Sequence, residues 1–194
     1  MRKIAAALLA AVPLVAAGQE RGSWYVVFGI AGGNGQVTDA AGTSSFGQLL
    51  GGTPVALGFR LEAGATLTPT LLLGFDLAGV RAATNESYYQ ASVAIVNYDA
   101  MVTWFPAGRG FFVRGGGGVS SSSFSVSLAS VSRSSDFLGL NLAAGLGYAF
   151  WLGDSFNLTV SLDGSGQWWG DHDGGTTGPR SSSFGALGVG FDWY

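Results

Sequence analysis

An eight-stranded antiparallel up-and-down transmembrane β-barrel is the fold class this sequence predicts, on three observations. Beyond the first 18 residues, apolar side chains recur at every second position in eight separate rows, the period of a strand with two unlike faces. Apolar residues make up 47% of the chain and charged residues 11%, with a positive mean hydropathy of +0.34, whereas a soluble domain carries roughly a quarter charged residues. After the first 18 residues no apolar run reaches the ~18 residues that a membrane helix needs, so strands closed on themselves are the remaining way to cross a bilayer.

The chain opens with Arg2 and Lys3, then an apolar run from Ile4 to Ala17 that only Pro13 interrupts, with small residues up to Gly18. This predicts a signal peptide over 1–18, removed on export, and one barrel domain over 19–194. The formal net charge is −3 and becomes more negative once Arg2 and Lys3 are lost. With no basic patch, nucleic acid is excluded as a partner. There is no cysteine, hence no disulfide framework and no thiolate site.

The rows follow in order. Trp24, Val26, Phe28 and Ile30 are even; a polar Gly-rich stretch covers 32–53. Val55, Leu57, Phe59, Leu61, Ala63, Ala65 and Leu67 are odd, and Thr68-Pro69-Thr70 turns the chain. Leu71, Leu73, Phe75 and Leu77 are odd, with "RAATNES" as a loop. Ala94, Val96, Tyr98, Ala100, Val102 and Trp104 are even, closed by the turn "PAGRG". Phe111, Val113 and Val119 are odd. Leu138 to Phe150 are even, closed by "LGDS". Phe156, Leu158, Val160 and Leu162 are even. After "GDHDGGTTGPRSSS" comes the last row, Leu187, Val189, Phe191 and Trp193. Connections alternate long and short, with the short ones on the side of both chain ends, as in barrels with short periplasmic turns and long external loops.

The opposite face carries every charge placed within a strand: Arg60, Glu62, Asp76, Asp99, Arg114, Asp163 and Asp192, joined by Asn97, Asn141, Thr159, Ser161 and many Gly and Ala. A soluble lipocalin-like barrel alternates too, with its apolar face inward. Its outer face would carry abundant Lys and Glu; small residues suit the crowded interior of a narrow barrel instead. Aromatics at the row ends predict the girdles of bilayer interfaces: Trp24, Trp104, Trp151, Trp168, Trp169, Trp193 and Tyr194, with Tyr88, Tyr89 and Phe105 beside them.

The leader, the eight rows, "NYDAMVTWFP" and the closing "LGVGFDWY" resemble the small outer-membrane barrels related to outer membrane proteins A and X, over essentially the whole chain after the leader. The resemblance implies the outer membrane of a diderm bacterium, contact with its lipids, and recognition of the terminal strand by the outer-membrane assembly machinery. Larger members carry a periplasmic peptidoglycan-binding domain; a chain ending on its last strand is not expected to.

Three segments are candidates for chemistry. Hairpin geometry is expected to set Arg60 and Glu62 near Asp76, and Asp99 near Arg114, as buried bridges; two arginines face five acids. His172, between Asp171 and Asp173, sits where a lipid-modifying barrel enzyme could place a histidine, but a solvated loop explains it better. In "SSSSFSVSLASVSRSS" the apolar phase changes between Val119 and Phe124, which predicts a β-bulge in a hairpin standing above the membrane and open to strand addition. Asn85-Glu86-Ser87 matches a glycosylation sequon without weight here. No cofactor, metal site or catalytic set is expected. The function expected is structural or surface-interacting, through external loops 1, 3 and 4, with polar side chains plugging the lumen and the surface partner unknown. The alternatives are a narrow porin-like channel for small solutes, a lipid-modifying enzyme, and a soluble ligand-binding barrel.

Overall fold

The computed structural model describes residues 21–52, 54–86, 89–128, 131–170 and 178–194. Among them are β1 (Trp24–Thr38), β2 (Thr43–Ser45), the short helix α1 (Phe46–Leu50), β3 (Ala56–Thr68), β4 (Leu71–Glu86), β5 (Tyr89–Trp104), β6 (Phe111–Leu128), β7 (Val131–Trp151), β8 (Phe156–Trp169) and β9 (Ser181–Trp193). Each long strand pairs antiparallel with its neighbours, and β1 also pairs with β9. The result is a closed eight-stranded barrel, with β2 folded back on the end of β1. Closure gives every strand a hydrogen-bonding partner on both sides, which a sheet facing hydrocarbon requires. No helix among the described residues is long and apolar enough to cross a membrane.

Register keeps the two faces distinct around the whole barrel. Phe28 stands opposite Phe191, and Ile30 opposite Val189, so the apolar rows of first and last strands are continuous across the seam. The outward rows are exposed, Phe75 at 58% for example, while Glu62 at 3% and Asp99 at 0% face the interior. The short turns, Arg21 and Tyr194 lie at one end, the turn end; the long hairpins rise from the other, the loop end. Gly108 and Gly110, at φ +77° and +74°, supply the left-handed backbone of the β5–β6 turn.

Three expectations need correction. There is no bulge in the serine-rich segment: β6 pairs in unbroken register with β5 from Val113 and with β7 from Phe111, in both cases to Leu128. The apolar phase changes because the lumen itself becomes apolar above Ser122, where Phe124 turns inward against Phe137 at 5.8 Å. The "RAATNES" loop is largely strand, since Arg81–Glu86 of β4 pair with Tyr89–Ala94 of β5. The polar stretch 32–53 is not a plain loop either. β1 continues to Thr38, and α1 then folds back and buries Phe46 and Leu50. A capping box starts that helix: the Gln48 amide donates to Ser45 Oγ at 3.2 Å, and the Ser45 amide donates to Gln48 Oε1 at 2.8 Å.

Phe75 lies midway along the apolar row of β4. Phe75→Arg is expected to cost about 2–4 kcal/mol in urea unfolding of the protein folded into phospholipid vesicles. The same substitution at exposed Ser134, above the apolar band, is expected to cost under about 1 kcal/mol.

Candidate functional site

The lumen is layered. At the turn end, Tyr25, Leu72, Phe105, Phe112 and Tyr194 form a buried aromatic cluster with Trp151 against it. At the loop end, Val37, Phe46, Leu50, Val93, Ile95 and Trp169 form an aliphatic and aromatic cluster, joined by Phe124, Phe137 and Phe184. All seven charged residues singled out above sit between these clusters with their side chains inward and buried or half-buried.

Arg60 organises the charged layer. Its Nη2 donates to Glu62 Oε2 at 2.7 Å, its Nε lies 3.0 Å from Asp76 Oδ1, and its Nη1 lies 3.7 Å from Asp163 Oδ1. The hairpin places these groups: Glu62 is directly opposite Asp76, and Arg60 opposite Ala78. Tyr25, two strands from Asp76, donates its hydroxyl to the other oxygen of Glu62 at 2.5 Å. Its ring occupies space that a side chain at position 74 would need, because a β-carbon on Gly74 would collide with the Tyr25 hydroxyl.

Arg114 does not pair with Asp99. It stands opposite Thr103, whereas Asp99 is opposite Gly118, four residues or ~13 Å further along the strand. Arg114 instead bridges two strands over. Its neighbour on β7 is Gly145, whose neighbour on β8 is Asp163. Arg114 Nε donates to Asp163 Oδ1 at 2.7 Å, Nη2 pairs with Oδ2, and Ser161 Oγ joins at 3.2 Å. A β-carbon on Gly145 would collide with Asp163 Oδ1 and lie 3.1 Å from Arg114 Nε, so that glycine is the opening through which the bridge forms.

The two remaining acids have no arginine. Asp192 accepts a 3.3 Å hydrogen bond from Thr159. Asp99 lies beside Asp76 across the β4–β5 register and makes no hydrogen bond of normal geometry. Above them runs an uncharged belt. Ser120 donates to Asn97 at 2.7 Å, Gln167 reaches Asn97 across the barrel at 3.4 Å, and Ser182 donates to Gln167 at 2.7 Å. Between the charged layer and the loop-end cluster is a cavity of about 90 Å³, walled by Arg60, Asp76, Asp99 and Arg114 on one side and by Val80, Ile95 and Phe184 on the other. A smaller cavity of about 20 Å³ lies on the turn side, lined by Tyr25, Glu62, Thr103, Phe112 and Asp192.

The girdle expectation divides. Trp24, Trp104, Trp168 and Trp193 are exposed on the outer face. Trp169 and Tyr194 are buried in the lumen clusters, Trp151 is half-buried against one of them, and Phe105 is fully buried. Parity explains this: Trp151 and Trp169 are odd-numbered on strands whose outward rows are even, and Tyr194 follows outward Trp193. Tyr25 and the inward phenylalanines were not anticipated as interior groups. The odd position of Tyr25 within an even apolar row was the available signal. Asp171, His172 and Asp173 lie outside the described residues, as do Ser87, Tyr88 and the side chain of Tyr89.

Residues 4–165 match the family described as outer membrane protein beta-barrel domain. Among solved structures, the chain is similar to Ail, the attachment invasion locus protein of Yersinia pestis, solved in complex with the heparin analogue sucrose octasulfate. That likeness has a TM-score of 0.60 at 14% identity, over 89% of this chain and 100% of that one. Neisserial surface protein A is similar with a TM-score of 0.53 at 15% identity, over 89% and 97% of the two chains. At such identities the likeness is one of fold. Among curated protein sequences no match is significant.

Removing Arg60 strands Glu62 and Asp76 without their cation. Arg60→Ala is expected to lose about 3–5 kcal/mol of unfolding free energy, measured by urea titration in detergent. Asp99→Asn removes a carboxylate that has no arginine, and is expected to leave the midpoint unchanged or raise it.

Proposed function

From the membership of this chain in the outer membrane protein beta-barrel domain family, we propose that it is a non-conducting outer-membrane anchor that presents its loop-end hairpins to partners outside the cell. The single observation that carries this reading is the lumen's sequence of three unlike layers, aromatic, ionic, and mixed aliphatic and aromatic, with cavities of about 90 and 20 Å³ beside the ionic layer among the described residues. An interior filled by side chains from end to end is what eight strands have room for. Strands of up to 21 residues exceed the 9–11 that span a bilayer, so the surplus length serves presentation.

In this reading the leader over 1–18 is removed on export. Lipids cover the outward rows, and the assembly machinery reads the alternate apolar residues Leu187 to Trp193. In this reading the role is presentation rather than catalysis. Ail was solved with a polyanion, but the loop-end segments here hold Arg81, Arg133 and Arg180 and no lysine, against Asp39, Glu86, Asp136, Asp171 and Asp173. The partner that this charge pattern favours is therefore not a sulfated glycan. A second reading, a narrow conduit for small solutes, has the 90 Å³ cavity in its favour.

Planar-bilayer recording separates the two. The expected result is no unitary conductance from the purified protein. Discrete steps that grow in Arg60→Ala would replace the anchor reading with the conduit.

A further inference from the structure

Four segments meet at the turn end of the barrel around one cation. Arg21, three residues ahead of β1, lays its guanidinium over Phe105 with Cζ 3.7 Å from the ring centroid. The same carbon is 5.4 Å from the ring of Tyr194 and 5.7 Å from that of Trp151. Those two rings stack on each other, 5.6 Å apart and inclined by 21°. At its edge the guanidinium donates through Nη1 to the carbonyls of Pro69 and Gly108, each at 2.6 Å. A planar, weakly hydrated cation set against aromatic faces and held in-plane by carbonyls uses both recognition modes open to arginine.

The backbone is shaped for this approach. Gly108 is left-handed at φ +77° and presents its carbonyl to the cation. A β-carbon on Gly22 would fall 2.9 Å from the Tyr194 carbonyl carbon, so glycine next to Arg21 lets the chain lie against the terminal residue.

We propose that Phe105, Trp151 and Tyr194, with the two carbonyls, form a guanidinium-binding box that the chain fills with its own Arg21, and that this occupancy closes the turn-end mouth of the lumen. The box takes planar cations bearing edge N–H donors, guanidinium and methylguanidinium. Tetramethylammonium has no edge donor for the carbonyls, and sodium gains little from a ring face. This goes beyond the anchor reading, because it assigns a ligand class to the box and not a role to the loops.

The chain has no cysteine, so Thr103→Cys, in the cavity beneath the box, creates a single reporter thiol. The full-length protein is expressed, purified from membranes in detergent, and treated with the small neutral reagent methyl methanethiosulfonate. Slow labelling is expected with Arg21 present, and labelling at least tenfold faster in T103C/R21A. Millimolar methylguanidinium is expected to return the double variant to the slow rate, while equal concentrations of sodium or tetramethylammonium leave it fast. Exposed Ser155→Cys should label equally with or without Arg21. Equal rates for T103C and T103C/R21A would overturn the proposal, as would a fast rate indifferent to methylguanidinium. If R21A does not fold, Arg21→Lys replaces it: faster labelling that methylguanidinium slows supports a site for a planar cation, and an unchanged slow rate overturns it. Unitary conductance of the wild type would overturn the anchor reading and the closure of the mouth. Labelling indifferent to Arg21 and methylguanidinium overturns the box and leaves the anchor reading standing, so the two can fail separately.

Discussion

The constraint on which the rest depends is the closure of eight strands into a barrel whose interior holds side chains and little else. Closure satisfies the backbone in hydrocarbon and then fixes how much volume remains inside. Each inward position must therefore either give up volume or find a partner for what it carries. The inward glycines are the first answer and the bridges of Arg60 and Arg114 the second, and the two are coupled. Tyr25 reaches Glu62 over Gly74, and Arg114 reaches Asp163 over Gly145. An alanine at either glycine would put a methyl group where a polar contact now runs.

That coupling makes Asp163 the connecting residue of the barrel's middle. It accepts from Arg114 on β6 and lies 3.7 Å from Arg60 on β3, so it ties together walls that no backbone hydrogen bond joins. Buried arginine–carboxylate pairs gain little over apolar packing of equal volume, yet breaking one leaves a stranded charge. Their value here is geometric. A narrow barrel with a uniformly small interior could shear in register at little cost, whereas a bridge spanning β6, β7 and β8 is made in one register only. Asp99 and Asp192, without arginines, add no such tie.

Alternation made the strands and the inward direction of the seven charges within the apolar rows legible in the sequence, because a one-residue error in phase would put arginine and aspartate into lipid. Arg81 and Asp136, on strand extensions read as loops, are exposed on the outward parity. What alternation could not carry was distance around the barrel. The bridge of Arg114 to Asp163 spans two strands, and the expected partner, Asp99, belonged to the adjacent strand but to the wrong height. Nor does alternation say where the bilayer stops. Above Ser122 the outward face is serine and the inward face is phenylalanine, a reversal that a two-face pattern reads as a bulge. Trp151, Trp169 and Tyr194 were assigned to the interfaces by residue type, and their parity places them inside. For α1, as for Tyr25, a further signal was present and unused: Ser45 and Gln48 are spaced as a capping box, and Phe46 and Leu50 lie on one face of the turn that follows.

The three layers bear on the choice between anchor and conduit through their unlike chemistry. The buried ion pairs are screened little by salt and yield when a partner charge is lost, the loop-end cluster responds to displacement of α1, and a cation held against aromatic rings responds to a competing planar cation. A solute crossing the lumen would have to open all three, and no single stimulus acts on all of them with the same sign. The cavities lie between the layers rather than through them, so thermal motion that widens one leaves the next in place. A filament of water needs every constriction open at once, and Tyr25, whose ring belongs to the aromatic cluster and whose hydroxyl binds Glu62, locks two of them together. On the anchor reading, chemical diversity along the axis does more to keep the barrel closed than strength in any one layer.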